Sequence, residues 1–179
     1  MNRGFVRFAR GVAGVPMLAL AGAFMACSSA SGPEVKVPNG AVSLEVRSFE
    51  DAGIPTFISA YGYPDRERIV IRTAAAWEEA WNRLTSNIYP KPPVPEVSFD
   101  SEMVILATMG AHPTGGNSIA VEEVAEDEGT VYVLVHETLP GANCITTQAV
   151  TAPATPVRVP RRDGPVVFLE RRTTTDCRG

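Results

Sequence analysis

The chain has 179 residues, with 16 Lys and Arg against 20 Asp and Glu, and a formal net charge of -4. That length suits one folded domain with at most a small N-terminal unit. The acidic balance excludes broad electrostatic attraction for nucleic acid or for an anionic lipid surface.

The first 26 residues read as an export signal. Arg3, Arg7 and Arg10 precede an uncharged, mostly apolar run from Gly11 to Ala26. The run contains Pro16 and several glycines, and it is shorter than the roughly 20 residues a stable membrane span needs. It ends in Phe24-Met25-Ala26-Cys27, a lipobox-like tetrapeptide with small Ala26 before the cysteine and bulky residues in the two positions ahead. The expectation is cleavage after Ala26. Cys27 would then carry a diacylglyceryl thioether and fatty acyl chains such as palmitate. Each buried methylene contributes about 0.8 kcal/mol, so two or three chains hold a protein at a membrane where one does not. The readings set beside it are an uncleaved anchor, or an ordinary signal that leaves Cys27 a plain thiol. Ser28 and Ser29 follow with no acidic residue to signal inner-membrane retention, so the outer membrane is favoured in a host that has two. Loss of three arginines and no acid takes the net charge from -4 to -7.

Residues 27–40 are rich in Ser, Gly and Pro and read as a flexible tether. Residues 41–96 then carry N-terminal strands, a helix and a Pro-rich connector. Val42, Leu44 and Val46 alternate with polar residues, the period of a half-buried strand. Phe57, Ile58 and Tyr61 suggest a second strand and Ile69-Val70-Ile71 a third. Thr73 can cap a helix over about 74–87, in which Trp77, Ala80, Trp81 and Leu84 fall on one apolar stripe. Both tryptophans are expected to pack on a sheet; the competing reading is a stacking platform for sugar or peptide. Four prolines between Tyr89 and Pro95 end the helix and force an extended connector.

Residues 97–179 are strand-rich. Met103-Val104-Ile105-Leu106-Ala107 is a continuous apolar run, as in a buried central strand. A turn at 112–116 follows, then Ile119 and Val121 on one face. Val131, Val133 and Val135 form another face, reached through a hairpin turn at Asp127-Glu128-Gly129. Ile145–Val150, Val157–Val159 and Val166–Leu169 complete the set. The expected fold class is α+β: a mostly antiparallel β domain of about eight short strands with one packed amphipathic helix.

Three cysteines leave an odd thiol in an exported protein, but assigning Cys27 to lipid leaves Cys144 and Cys177 as a pair. In an oxidising compartment these are expected to form a disulfide, the other reading being two separate buried thiols.

An ordered string runs through the second half of the chain. Phe99-Asp100 precedes the apolar run, and Met109-Gly110 follows it. Then come Pro113-Thr114-Gly115-Gly116, Pro140-Gly141, Cys144, Thr147-Gln148-Ala149, Val157-Arg158-Val159-Pro160 and Val167-Phe168. This string resembles the C-terminal domain of PrcB-like proteins, named for an accessory lipoprotein of a secreted protease complex. The Trp77-Glu78-Glu79-Ala80-Trp81 stretch resembles the region preceding that domain. One departure stands at Asn117, where the family commonly has an aromatic residue. The resemblance implies an exported, non-catalytic protein that binds another protein, with a protease as the implied class of partner.

The candidate partner-binding loop is His112, Pro113, Thr114, Gly115, Gly116 and Asn117. An alternative function attaches to the same loop, because Pro113-Thr114-Gly115 is similar to the wedge loop of chagasin-like cysteine-protease inhibitors. No catalytic residue, metal site or cofactor is expected. His112 and His136 lack metal-ligand spacing, and no nucleophile–base pair or Gly-x-Ser-x-Gly elbow is legible. Asp100 and Glu102, the acidic run from Glu122 to Glu128, and the arginines at 158, 161, 162, 171 and 172 read as solvated charges. The expected partners are the membrane, through the lipid on Cys27, and a protein; nucleic acid is not among them.

Overall fold

The computed structural model describes residues 35–50 and 58–177, which lie in one compact unit spanning 34–179. The signal segment 1–26, Cys27, the tether as far as residue 34, and Phe57 lie outside the described residues.

Eight strands and one helix are present among the described residues: β1 Val42–Ser43, β2 Ile58–Ser59, β3 Arg68–Ile71, α1 Ala74–Leu84, β4 Glu102–Thr108, β5 Ser118–Asp127, β6 Thr130–Pro140, β7 Pro153–Pro160 and β8 Val166–Thr175. They build two four-stranded sheets, in the orders β1-β5-β6-β8 and β2-β7-β4-β3. Every pairing is antiparallel except β6 with β8, which run parallel from Val131↔Val166 to Pro140↔Thr175. The fold is therefore mostly β, with one short helix. Strands from before and after residue 97 share both sheets.

The sheets pack face to face, and α1 lies on the outer face of the second. Met103, Ile105 and Ala107 of β4 meet Val131, Val133 and Val135 of β6 between the sheets. Val104 and Leu106 point the other way, into a cluster with Trp77, Trp81, Leu84, Ile71 and Tyr63. A strand covered on both faces has no polar side to show, which is why 103–107 is continuously apolar. Trp77 and Trp81 are core residues, and their indole N–H groups donate to the carbonyls of Pro95 (2.9 Å) and Pro92 (3.3 Å). The connector thus holds the polar edge of each buried ring.

Local chemistry sets the element ends. The Thr73 hydroxyl accepts from Ala76 N and caps α1. The helix stops at Leu84, three residues before the expected end. Ser86 N and Ile88 N donate to Arg83 and Thr85 carbonyls instead, so the last turn tightens to three-residue bonds. Glu128 and Gly129 both have positive φ (45° and 77°) and close the two-residue β5–β6 hairpin. A bulge at Glu122 shifts the inward phase of β5 from Ile119 to Val124.

Two expectations are corrected. Ile145–Val150 is not a strand but part of the connection between β6 and β7, with Ile145 fully exposed; its apolar residues do not alternate. Only Val42–Ser43 of the first expected strand is laddered, to β5. The chain then crosses between the sheets, for Leu44 N donates to Val124 O while Arg47 bridges Arg158 of β7. Within the stretch read as tether, residues 35–40 are placed: Val35, Val37 and Pro38 are half-buried, and Arg171 donates to the Val35 carbonyl at 3.1 Å.

Candidate functional site

Strands β4, β6 and β8 end, and β3, β5 and β7 begin, at one end of the sandwich. Three segments meet there: 60–67, 109–117 and 141–152. The sequence-predicted loop His112–Asn117 lies here, stapled to the 141–152 connection. His112 and Thr151 exchange backbone hydrogen bonds of 2.7 and 2.9 Å. Gly115 N donates to Thr147 O at 3.0 Å, and the Thr151 hydroxyl donates to Thr114 O at 2.9 Å. Asn117 is buried, and its side-chain amide donates to the same Thr114 carbonyl. Gly115 is buried too, because a β-carbon there would collide with Thr147 Oγ1. Gly116 has φ +86°, a conformation few side chains adopt. Of the six loop residues, Pro113 and Gly116 are exposed and His112 and Thr114 half-buried.

The 141–152 connection is fastened at its other end. Cys144 and Cys177 are joined by a disulfide with a Cα–Cα separation of 4.9 Å. Gly141 N donates to Thr175 O at 2.8 Å, and a β-carbon on Gly141 would press on that carbonyl. Held from both sides, this connection displays Ile145 (fully exposed) and Val150 (54% exposed), while Tyr61 (47% exposed) donates its hydroxyl to Val150 O at 2.6 Å. Large apolar groups on a fixed backbone are the makings of a protein contact surface.

The corner between β3 and β8 carries an ionic cluster that the sequence analysis missed. Glu137 on β6 continues the inward row Val131, Val133 and Val135, and its side chain is 2% exposed. One carboxylate oxygen accepts from Arg66 Nε and Arg68 Nη2, both at 2.6 Å; the other accepts from Arg172 Nη2 at 2.7 Å and Nε at 3.1 Å. Glu170 on β8 accepts from Arg66 (2.5 Å) and from Arg68 (2.9 and 3.0 Å). Burial alone would raise the Glu137 pKa, but the bonds from Arg66, Arg172 and Arg68 outweigh it and hold it at about 2. The signal was present: an acid in phase with an inward valine row must meet a counter-charge.

The other charges read as solvated are also largely partnered. Glu102 is buried and pairs with Arg47. Glu126 pairs with Arg162, and Arg161 with Asp163. The bulge aims Glu122 at both Arg171 (2.7 Å) and His136 Nδ1 (2.6 Å), and His136 Nε2 meets the Thr173 hydroxyl at 2.7 Å. These contacts clamp β5, β6 and β8 across the outer face. Among the described residues no helix is long and apolar enough to cross a membrane, and no three or more His, Cys, Asp or Glu could hold a metal ion.

These segments carry the motifs on which the sequence resemblance rested. Residues 103–160 match the family model described as PrcB C-terminal. The match is consistent with a PrcB-like protein and runs from β4 to the end of β7, taking in the 112–117 loop, the 141–152 connection and Glu137. No curated protein and no solved structure matches the chain.

Proposed function

We propose that this chain is a non-catalytic, membrane-anchored lipoprotein that binds another protein through the loop end of its sandwich, as an accessory module of a protease complex. The observation that carries this reading is the PrcB C-terminal match across β4–β7, which contains both stapled loops. Supporting it, the backbone of 112–117 and 141–152 is fixed by hydrogen bonds and a disulfide, while Tyr61, Ile145 and Val150 stand outward. A surface ordered before contact loses less entropy on binding. Export, cleavage after Ala26 and acylation of Cys27 are supported by the arginine-led apolar run and its lipobox-like end.

Affinity capture from detergent-solubilised membranes tests the reading. The full chain should recover a specific protein, and Ile145→Asp, which alters only an exposed side chain, should reduce that recovery at least tenfold. No partner, or equal recovery by the variant, would overturn it. Metabolic labelling with an alkynyl palmitate should mark the wild-type chain and not Cys27→Ser.

A further inference from the structure

We propose that Arg66 and Arg172 form a preorganised site for a surface Asp or Glu carboxylate of the partner protein. This rests on the protein-binding reading above and names a chemical requirement of that partner.

Arg66, Arg68 and Arg172 face Glu137 and Glu170, so three guanidinium groups meet two carboxylates. Arg68 is spent: its side chain is 10% exposed, and its Nη1 donates to the Glu67 and Thr108 carbonyls. Arg66 and Arg172 are different. Their side chains are 41% and 58% exposed, and in each the Nη1 group makes no hydrogen bond among the described residues. Asp65, next to Arg66, pairs with neither of them. Within the bonded cluster itself, one positive charge is therefore in excess.

A surface arginine normally loses side-chain freedom when it captures an anion. Here that ordering has already happened on folding, because Glu137 grips one guanidinium from each side through its two oxygens. Glu137 stays ionised through the physiological range, so the grip persists. Free guanidinium N–H groups match a carboxylate in geometry as well as charge. The site is continuous with the loop end. Ala111 N donates to Pro64 O at 2.9 Å, and a β-carbon on Gly110 would lie 3.1 Å from Arg66 N.

The test uses the full chain in detergent micelles, labelled with nitrogen-15. Arginine Nε–Hε cross-peaks are assigned with Arg66→Lys and Arg172→Lys. Titration with glutarate should move the Arg66 and Arg172 signals saturably, whereas sodium chloride at equal ionic strength should not. Signals that stay fixed, or move equally with chloride, overturn the site. In a second arm, Arg66→Gln/Arg172→Gln should reduce partner capture at least tenfold while the circular dichroism of the fold is retained; Arg172→Gln alone serves if the double variant unfolds. Unchanged capture rejects the site as the partner's contact. If even the native chain captures nothing, the protein-binding reading fails, and the glutarate titration still decides carboxylate binding by itself.

Discussion

Gly115 and Thr147 meet so closely that one atom decides the outcome. A methyl at 115 would strike the Thr147 hydroxyl, while Thr147 Cβ would remain at 3.6 Å, an ordinary contact. Gly115→Ala should therefore cost about 1–3 kcal/mol of stability. Adding Thr147→Ala should restore most of it, which urea denaturation of the single and double variants would show. Glu137 presents the opposite case, where atoms must not be lost. Glu137→Gln leaves three arginines without their shared anion, and a loss of about 3–5 kcal/mol is expected in the same assay. Its titration has a definite sign. The folded value of about 2 lies below the ordinary 4.5, so the stabilisation is complete above pH 4.5 and fades as pH falls toward 2. Glu137→Gln should flatten that acid limb of a stability–pH curve. None of this was visible from neighbouring residues: Arg66 and Arg172 stand 71 and 35 positions from Glu137, and only the inward phase of β6 hinted at a buried acid.

At the level of elements, α1 is held by its stripe and by what covers it. Trp77→Phe keeps an aromatic ring but loses the pyrrole part of the indole, with its N–H bond to Pro95 O, and should cost on the order of 1–2 kcal/mol. Trp77→Ala also opens a cavity and should cost about 3–5 kcal/mol. Thermal unfolding would separate the two. The helix and the central strand were legible because each writes its burial into a local period: Trp77, Ala80, Trp81 and Leu84 for one, five unbroken apolar residues for the other. The hairpin at Glu128-Gly129 was legible through its turn residues. The parallel pairing of β6 with β8 was not, since register between distant strands leaves no trace in either one. Nor was the irregular course of 145–150, where Ile145 suggests a strand but turns outward and is held in place by bonds to 112–117 and by Cys144. The turn at 112–116 was legible through its glycines, yet its backbone anchors, Thr147 and Thr151, were not.

For the molecule as a whole, the disulfide closes a loop of 33 residues that contains β7 and β8. Replacing Cys144 and Cys177 together with serine should lower stability by about 3–4 kcal/mol. It should also raise hydrogen exchange in 141–152 more than in β4. The two sheets are joined differently along their two sides. Near β1 the backbone itself passes from one sheet to the other between Val42 and Arg47. At β3 and β8 the join is made by side chains, Arg66 and Arg68 to Glu170 and Glu137. Protonating Glu137 loosens the second fastening and cannot touch the first. Near pH 2 the two layers should part like a clamshell, gaping at β3 and β8 while the covalent hinge stays shut, with amides at the gape the earliest to exchange.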